Sequence, residues 1–161
     1  MARGGFMMST TGLCTFRLGG ILLGLPVSDV QEIVRASAIT PVPLAPPLVR
    51  GLVNLRGQVL PALDLRWRLG MDRAGREPGI HVILSRDGEL ISLPVDSIDD
   101  VLSLGSDRRL PPPETLHRPL REACLAAWDL IDELLLELDP ERLLGLREGD
   151  TVSAEQAGGR S

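Results

Sequence analysis

The sequence predicts a mainly β fold in which two small barrels, each built from short hairpins, pack against one another. Three observations predict it. Short apolar, β-prone runs flank Gly19-Gly20, Gly57-Gln58 and Asp87-Gly88, the residue pairs that tight hairpin turns require. The chain repeats itself: Leu25–Ile33 can be laid on Leu93–Val101 at an offset of 68 (93 − 25), and Ala62–Gly70 on Glu137–Gly145 at 75 (139 − 64). Helix caps open only short stretches, at Ser28, Asp64 and Asp139.

Taken in order, residues 1–11 read as a flexible N-terminus. Leu13–Leu18 and Ile21–Pro26 form a hairpin about Gly19-Gly20. Ser28-Asp29-Val30-Gln31 has the form of a capping box and predicts a very short helix. Pro41, Pro43, Pro46 and Pro47 make the next stretch an extended connection. The central hairpin then runs through Leu52–Arg56 and Val59–Leu63, with Gly57-Gln58 as a type II′ turn. Period-two alternation places Asn54 and Arg56 on one face, opposite Val53 and Leu55, with Arg56 beside the turn. Asp64 caps a helix through Arg68 and Leu69, and Gly70 stops it.

A polar linker, 71–79, separates the first half (about 13–70) from the second (about 80–146). Ile80–Ser85 and Glu89–Val95 flank Asp87-Gly88, a type I′ signal. Leu120–Leu138 reads helical by composition, yet Leu134–Leu138 falls in the slot of Val59–Leu63 in the repeat. The repeat therefore predicts strands across 122–130 and 133–138, then one helical turn at 140–144 with Asp139 as cap and Gly145 as stop. Residues 147–161 read as a disordered tail. Whether each barrel comes from one half or the halves exchange strands stays open at this level.

Composition narrows the function. With 161 residues the chain can bury one ordinary core, and its apolar runs are too short to span a bilayer. Net charge is −5 with basic residues scattered among acids, which disfavours nucleic-acid binding. Arg3 and the apolar run Leu18–Val27 only loosely mimic a signal peptide, so a cytoplasmic location is expected. Cys14 and Cys124 are isolated, and buried reduced thiols are the expectation.

No catalytic constellation emerges. His81 lies in a strand pattern and His117 in a Pro-flanked connection, neither near a nucleophile elbow or an activated cysteine. Asp96, Asp99 and Asp100 lack the alternating oxygen spacing and glycine of a calcium loop, so no metal is expected. No Gly-rich loop opens a helix to cradle phosphate, and no cofactor is expected. Pro111-Pro112-Pro113 reads as a stiff connector. On residue type alone, Val30 is a core or a surface residue, and Glu32 and Arg56 are solvated charges or partner contacts.

The run Gly51-Leu52-Val53-Asn54-Leu55-Arg56-Gly57-Gln58-Val59-Leu60-Pro61-Ala62-Leu63-Asp64-Leu65-Arg66 resembles the signature of the CheW family of chemotaxis coupling proteins. Val30-Gln31-Glu32-Ile33, Pro41-Val42-Pro43, Val95-Asp96 and Asp100-Val101-Leu102-Ser103-Leu104 extend the resemblance from about Thr15 to Leu146. Ala123–Trp128 departs from the family pattern in lacking a glycine before the last hairpin. The resemblance implies two five-stranded barrels of the Src-homology type around a shared hydrophobic core, in a domain at 12–146. It implies a non-enzymatic, stand-alone adaptor that is a monomer in isolation and is recruited from the cytoplasm to membrane receptor arrays. The partners would be the regulatory domain of the histidine kinase CheA and the cytoplasmic tip of methyl-accepting chemoreceptors. Val30, Glu32, Asn54, Arg56 and Gly57 would be the partner-binding residues. A small-ligand sensor using a cleft between barrels, or a small β-barrel hydrolase with His81 or His117 as base, are the rival readings.

Overall fold

The computed structural model describes residues 9–35, 38–72 and 79–145. Most of the predicted N-terminal segment and linker, and all of the predicted tail, lie outside the described residues. Eleven strands are described: β1 (Thr10–Leu18), β2 (Ile21–Pro26), β3 (Val30–Arg35), β4 (Val49–Leu55), β5 (Gln58–Leu63), β6 (Ile80–Arg86), β7 (Glu89–Val95), β8 (Ser97–Gly105), β9 (Arg109–Leu110), β10 (Cys124–Asp129) and β11 (Leu134–Leu138). Three short helices join them: α1 (Leu65–Arg68), α2 (Arg118–Ala123) and α3 (Pro140–Leu144).

The strands form two mixed sheets, ordered β8-β1-β2-β11-β10-β9 and β3-β6-β7-β5-β4. The halves therefore exchange hairpins. β1–β2 from the first half sits in the sheet of β8–β11, and β6–β7 from the second half sits in the sheet of β3–β5. The exchange is symmetric. Thr15↔Gly24 in one hairpin becomes Ile83↔Ser92 in the other, an offset of 68 (83 − 15). The bulge between Val49 and Gly51 in β4 becomes that between Cys124 and Ala126 in β10, an offset of 75 (124 − 49). Each borrowed hairpin is docked on one side by an antiparallel ladder, β1 with β8 and β6 with β3, and on the other by a short parallel pairing, β2 with β11 and β7 with β5.

Three apolar clusters follow from strand alternation. Phe16, Leu23, Leu25, Val82, Leu84, Leu93 and Leu138 belong to the largest, drawn from both sheets and shared between them. Leu13, Leu22, Trp128 and Leu135 form a second cluster on the other face of the first sheet, and Val53, Leu60, Ala62 and Ile83 a third on that of the second. Each of these faces also buries a polar pair: Trp128 Nε1 donates to Glu137 Oε1 at 2.9 Å, and Ser92 Oγ lies 2.9 Å from His81 Nδ1. A buried indole N–H or imidazole needs such a partner.

Several expectations are corrected. The sheets are curled but no backbone ladder closes either into a barrel, and the first has six strands rather than five. Ser28 opens no capped helix; a single 3₁₀ turn, Val27–Asp29, has no side-chain cap, and Val30 begins an edge strand. The β-branched residues of Val30–Arg35 and their alternating burial outweigh the capping pattern. The central turn is Arg56-Gly57, one residue earlier than expected, because Leu55 pairs with Gln58. Positive φ at both turn residues, 51° and 87°, makes it a type I′ turn rather than II′. Arg56 is thus in the turn, not beside it. The strand expected from 122 starts at Cys124, since residues 122 and 123 close α2, where Pro119 fits the first helical turn.

The short helices follow the sequence closely. Asp64 Oδ1 accepts from Trp67 N at 3.0 Å, and Gly70 (φ 72°) ends α1 with Met71 N bonded to Arg66 O at 2.7 Å. Asp139 Oδ1 accepts from Glu141 N at 3.0 Å, and Gly145 (φ 64°) ends α3.

Candidate functional site

The site is built at the tip of the β4–β5 hairpin. Asn54 Oδ1 accepts the N–H of Gly57 at 2.8 Å, which fixes the turn and commits the Asn54 side chain to it. Arg56 is held at a left-handed φ with its side chain two-thirds exposed, and its Nη2 donates to Glu32 Oε2 on β3. β3 is one edge of its sheet and β4 the other. Laid flat, the turn and β3 would be separated by three to four strand spacings, roughly 14–19 Å. The ion pair therefore reports a sheet curled until its edges approach through side chains. Val30, two residues before Glu32 on β3, is half-buried and packs against the shared core. Structurally, then, Glu32, Asn54, Arg56 and Gly57 share one corner, whereas Val30 lies at the core boundary.

Gly51, the first residue of the signature run, has a separate task. A Cβ there would collide with the carbonyl of Thr40, whose N–H and C=O both bond Leu52 at 2.8 Å. The connection from β3 thereby covers the outer edge of β4.

The other sheet carries a counterpart that residue-type reasoning did not single out. Arg17 on β1 donates twice to Glu133, at 2.7 and 3.1 Å, and lies 3.3 Å from Asp99 on edge strand β8. Glu133 follows the β10–β11 tip, so this triad ties edge and tip as Glu32 and Arg56 do. The hydrogen bonds to Glu133 raise the Arg17 guanidinium's affinity for its proton, and the bond from Arg17 holds the Glu133 carboxyl below its ordinary range. The repeat offset was the available signal, because it equates the two hairpin tips.

Ion pairs also clasp the exchanged hairpins. Asp96 Oδ2 accepts from Gly19 N at 2.8 Å, in the β1–β2 turn, and from Arg66 of α1 at 2.7 Å. Arg86, beside the β6–β7 turn, reaches Asp29 and Glu141 of α3 at 3.1 Å each. Two of the three acids weighed for a cation are thus engaged by arginines: Asp96 by Arg66 and Asp99 by Arg17. Among the described residues no group of three His, Cys, Asp or Glu is placed to hold a metal. His117 is exposed at the start of α2, far in sequence from the buried His81–Ser92 pair. Burial raises both thiols, Cys124 to about 11. No described helix is long and apolar enough to cross a membrane.

Comparison with known proteins assigns the chain to a family, since the CheW-like domain model matches residues 12–148. The chain belongs to the CheW-like family. The chemotaxis protein CheW of Klebsiella aerogenes is 30% identical over 134 residues, covering 83% of this chain and 81% of that protein. That of Rhizobium meliloti is 40% identical over 103 residues, 62% of this chain and 64% of the relative, just under two thirds of its length. Among solved structures, the scaffolding protein TtCheW from Thermoanaerobacter tengcongensis superposes with a TM-score of 0.76 at 25% identity, covering 91% of this chain and 99% of that one. The CheW-like match spans both sheets, so hairpin exchange and the Glu32–Arg56 corner both lie inside the family domain.

Proposed function

We propose that this protein is a non-enzymatic adaptor coupling methyl-accepting chemoreceptors to the histidine kinase CheA in chemotaxis or related chemosensory signalling. The observation that carries this reading is the CheW-like match across residues 12–148, which takes in both sheets but for the first two residues of β1. Relatives titled chemotaxis protein CheW and a structural neighbour titled scaffolding protein support it. The adaptor unit spans residues 12–146, its two sheets packed about the shared core, and works as a cytoplasmic monomer recruited to receptor arrays.

In finer terms, the kinase contributes its regulatory domain and the receptor its cytoplasmic tip. Val30, Glu32, Asn54, Arg56 and Gly57 form the contact region. Asn54 and Gly57 set the turn, Glu32 orients Arg56, and the exposed guanidinium keeps N–H donors for a partner carboxylate. Such a module adds no chemical step. It transmits a receptor's conformational bias to the kinase as coupling free energy, which needs two binding surfaces on a rigid body. The test is a titration of the full chain against a kinase regulatory domain and a receptor-tip fragment. Saturable binding to both, and a ternary complex, is expected; binding to neither overturns the reading.

A further inference from the structure

The β10–β11 tip holds a residue that its backbone does not favour. Ile131 has φ 78°, a left-handed conformation that β-branched side chains rarely adopt. At the other hairpin tips these positions belong to Gly19, Gly20, Arg56, Gly57, Asp87 and Gly88, none of them β-branched. Burial does not offset the strain, since Ile131 is 81% exposed, with the exposed Leu134 three residues on.

Nor is the tip loose. Asp129 Oδ1 accepts the N–H of Ile131 at 2.8 Å, Leu130 N donates to Glu133 O at 3.0 Å, and Arg17 grips the Glu133 carboxylate. The backbone that carries the apolar side chain is therefore fixed, which lowers the cost of ordering the tip when it inserts elsewhere. Asp132 N also donates to Leu130 O at 2.9 Å, so the strained backbone is held by its neighbours while the apolar side chain stays unburied. Strain maintained at an exposed residue points to function there.

The surroundings specify the occupant. Asp129 and Asp132, both exposed, rim the tip with negative charge, beside the Glu133 carboxylate that Arg17 pairs. That rim repels nucleic acid and anionic lipid surfaces and favours a basic one. Because the tip is convex, its complement is concave. We infer that the β10–β11 tip docks into an apolar pocket rimmed by arginine or lysine side chains on a protein partner, with Ile131 as the inserted anchor. The inference deepens the adaptor reading and rests on it for its probes, the kinase regulatory domain and the receptor-tip fragment.

The experiment compares wild type with Ile131→Gly and Asp132→Asn in the full chain, by thermal melting and by titration with each probe at low and high salt. Glycine relieves the left-handed strain, so Ile131→Gly should melt about 2–4 °C higher. It should also bind one probe at least tenfold more weakly and leave the other unchanged. Asp132→Asn should weaken binding to that same probe and flatten its salt dependence. Wild-type affinity of Ile131→Gly for both probes overturns the inference while leaving the adaptor reading intact, and a lower melting temperature overturns the strain argument. Failure of wild type to bind either probe overturns the adaptor reading itself, and the docking inference with it.

Discussion

Replacing Arg56 separates its role in the fold from its role in binding, and the structure sets the expected size of each. Arg56 makes an ion pair with Glu32 in which its own side chain is two-thirds exposed. Exposed pairs of this kind contribute about 0.2–1 kcal/mol. Arg56→Ala removes the pair but keeps a non-glycine residue at φ 51°, so stability should fall by no more than about 1 kcal/mol. Arg56→Gly removes the same pair but relieves a left-handed penalty of about 1 kcal/mol, so it should be close to neutral. If the guanidinium is an anchor in a desolvated interface, either change should cost roughly 2 kcal/mol of binding, about thirtyfold. Thermal melts and titration against the two partner fragments measure both quantities. Arg108→Ala, at the end of an exposed 3₁₀ turn, is the control and should alter neither. Wild-type binding by both Arg56 variants would refute the contact role. A glycine variant clearly less stable than the alanine one would refute the type I′ turn as the source of strain.

Three other outcomes are expected. Gly51→Ala should destabilise by about 2 kcal/mol or more in urea unfolding, because its Cβ must displace the Thr40 carbonyl and the bonds that cover β4. The Glu133 carboxyl titrates below its unfolded value, so its tie to Arg17 stabilises the fold above the ordinary carboxylate range and is lost as pH falls through the folded pKa. The difference in melting temperature between wild type and Glu133→Gln should therefore hold steady above about pH 5 and shrink below about pH 4. Cys14 and Cys124, buried and raised by that burial, should resist thiol reagents at pH 8 in the folded protein and react at once in denaturant, as a colorimetric thiol count would show.

Local chemistry made much of this protein legible in its sequence. Gly19-Gly20 and Asp87-Gly88 specified their turns, because few residues tolerate positive φ. Asp64 and Asp139 marked two short helices through a cap that acts within three residues. The repeat located β11 against a helical composition, since two copies of one plan must bury equivalent faces. The signature run pointed to the family, and within it to the corner where Arg56 stands. Local patterns misled where a tertiary neighbour decided the outcome. Val30–Arg35 is an edge strand because β6 offers it a ladder, and a one-residue shift moved Arg56 into the turn because Leu55 pairs with Gln58. The Glu32–Arg56 and Arg17–Glu133 ties join residues far apart in sequence and depend on the curl of the sheets. Hairpin exchange was beyond reach for the same reason. β1–β2 and β6–β7 have the same shape and the same apolar faces, so either could complete either sheet. The antiparallel ladders of β1 with β8 and β6 with β3, the parallel docking of β2 on β11 and β7 on β5, and the arginine clasps at their turns decide which hairpin belongs to which sheet.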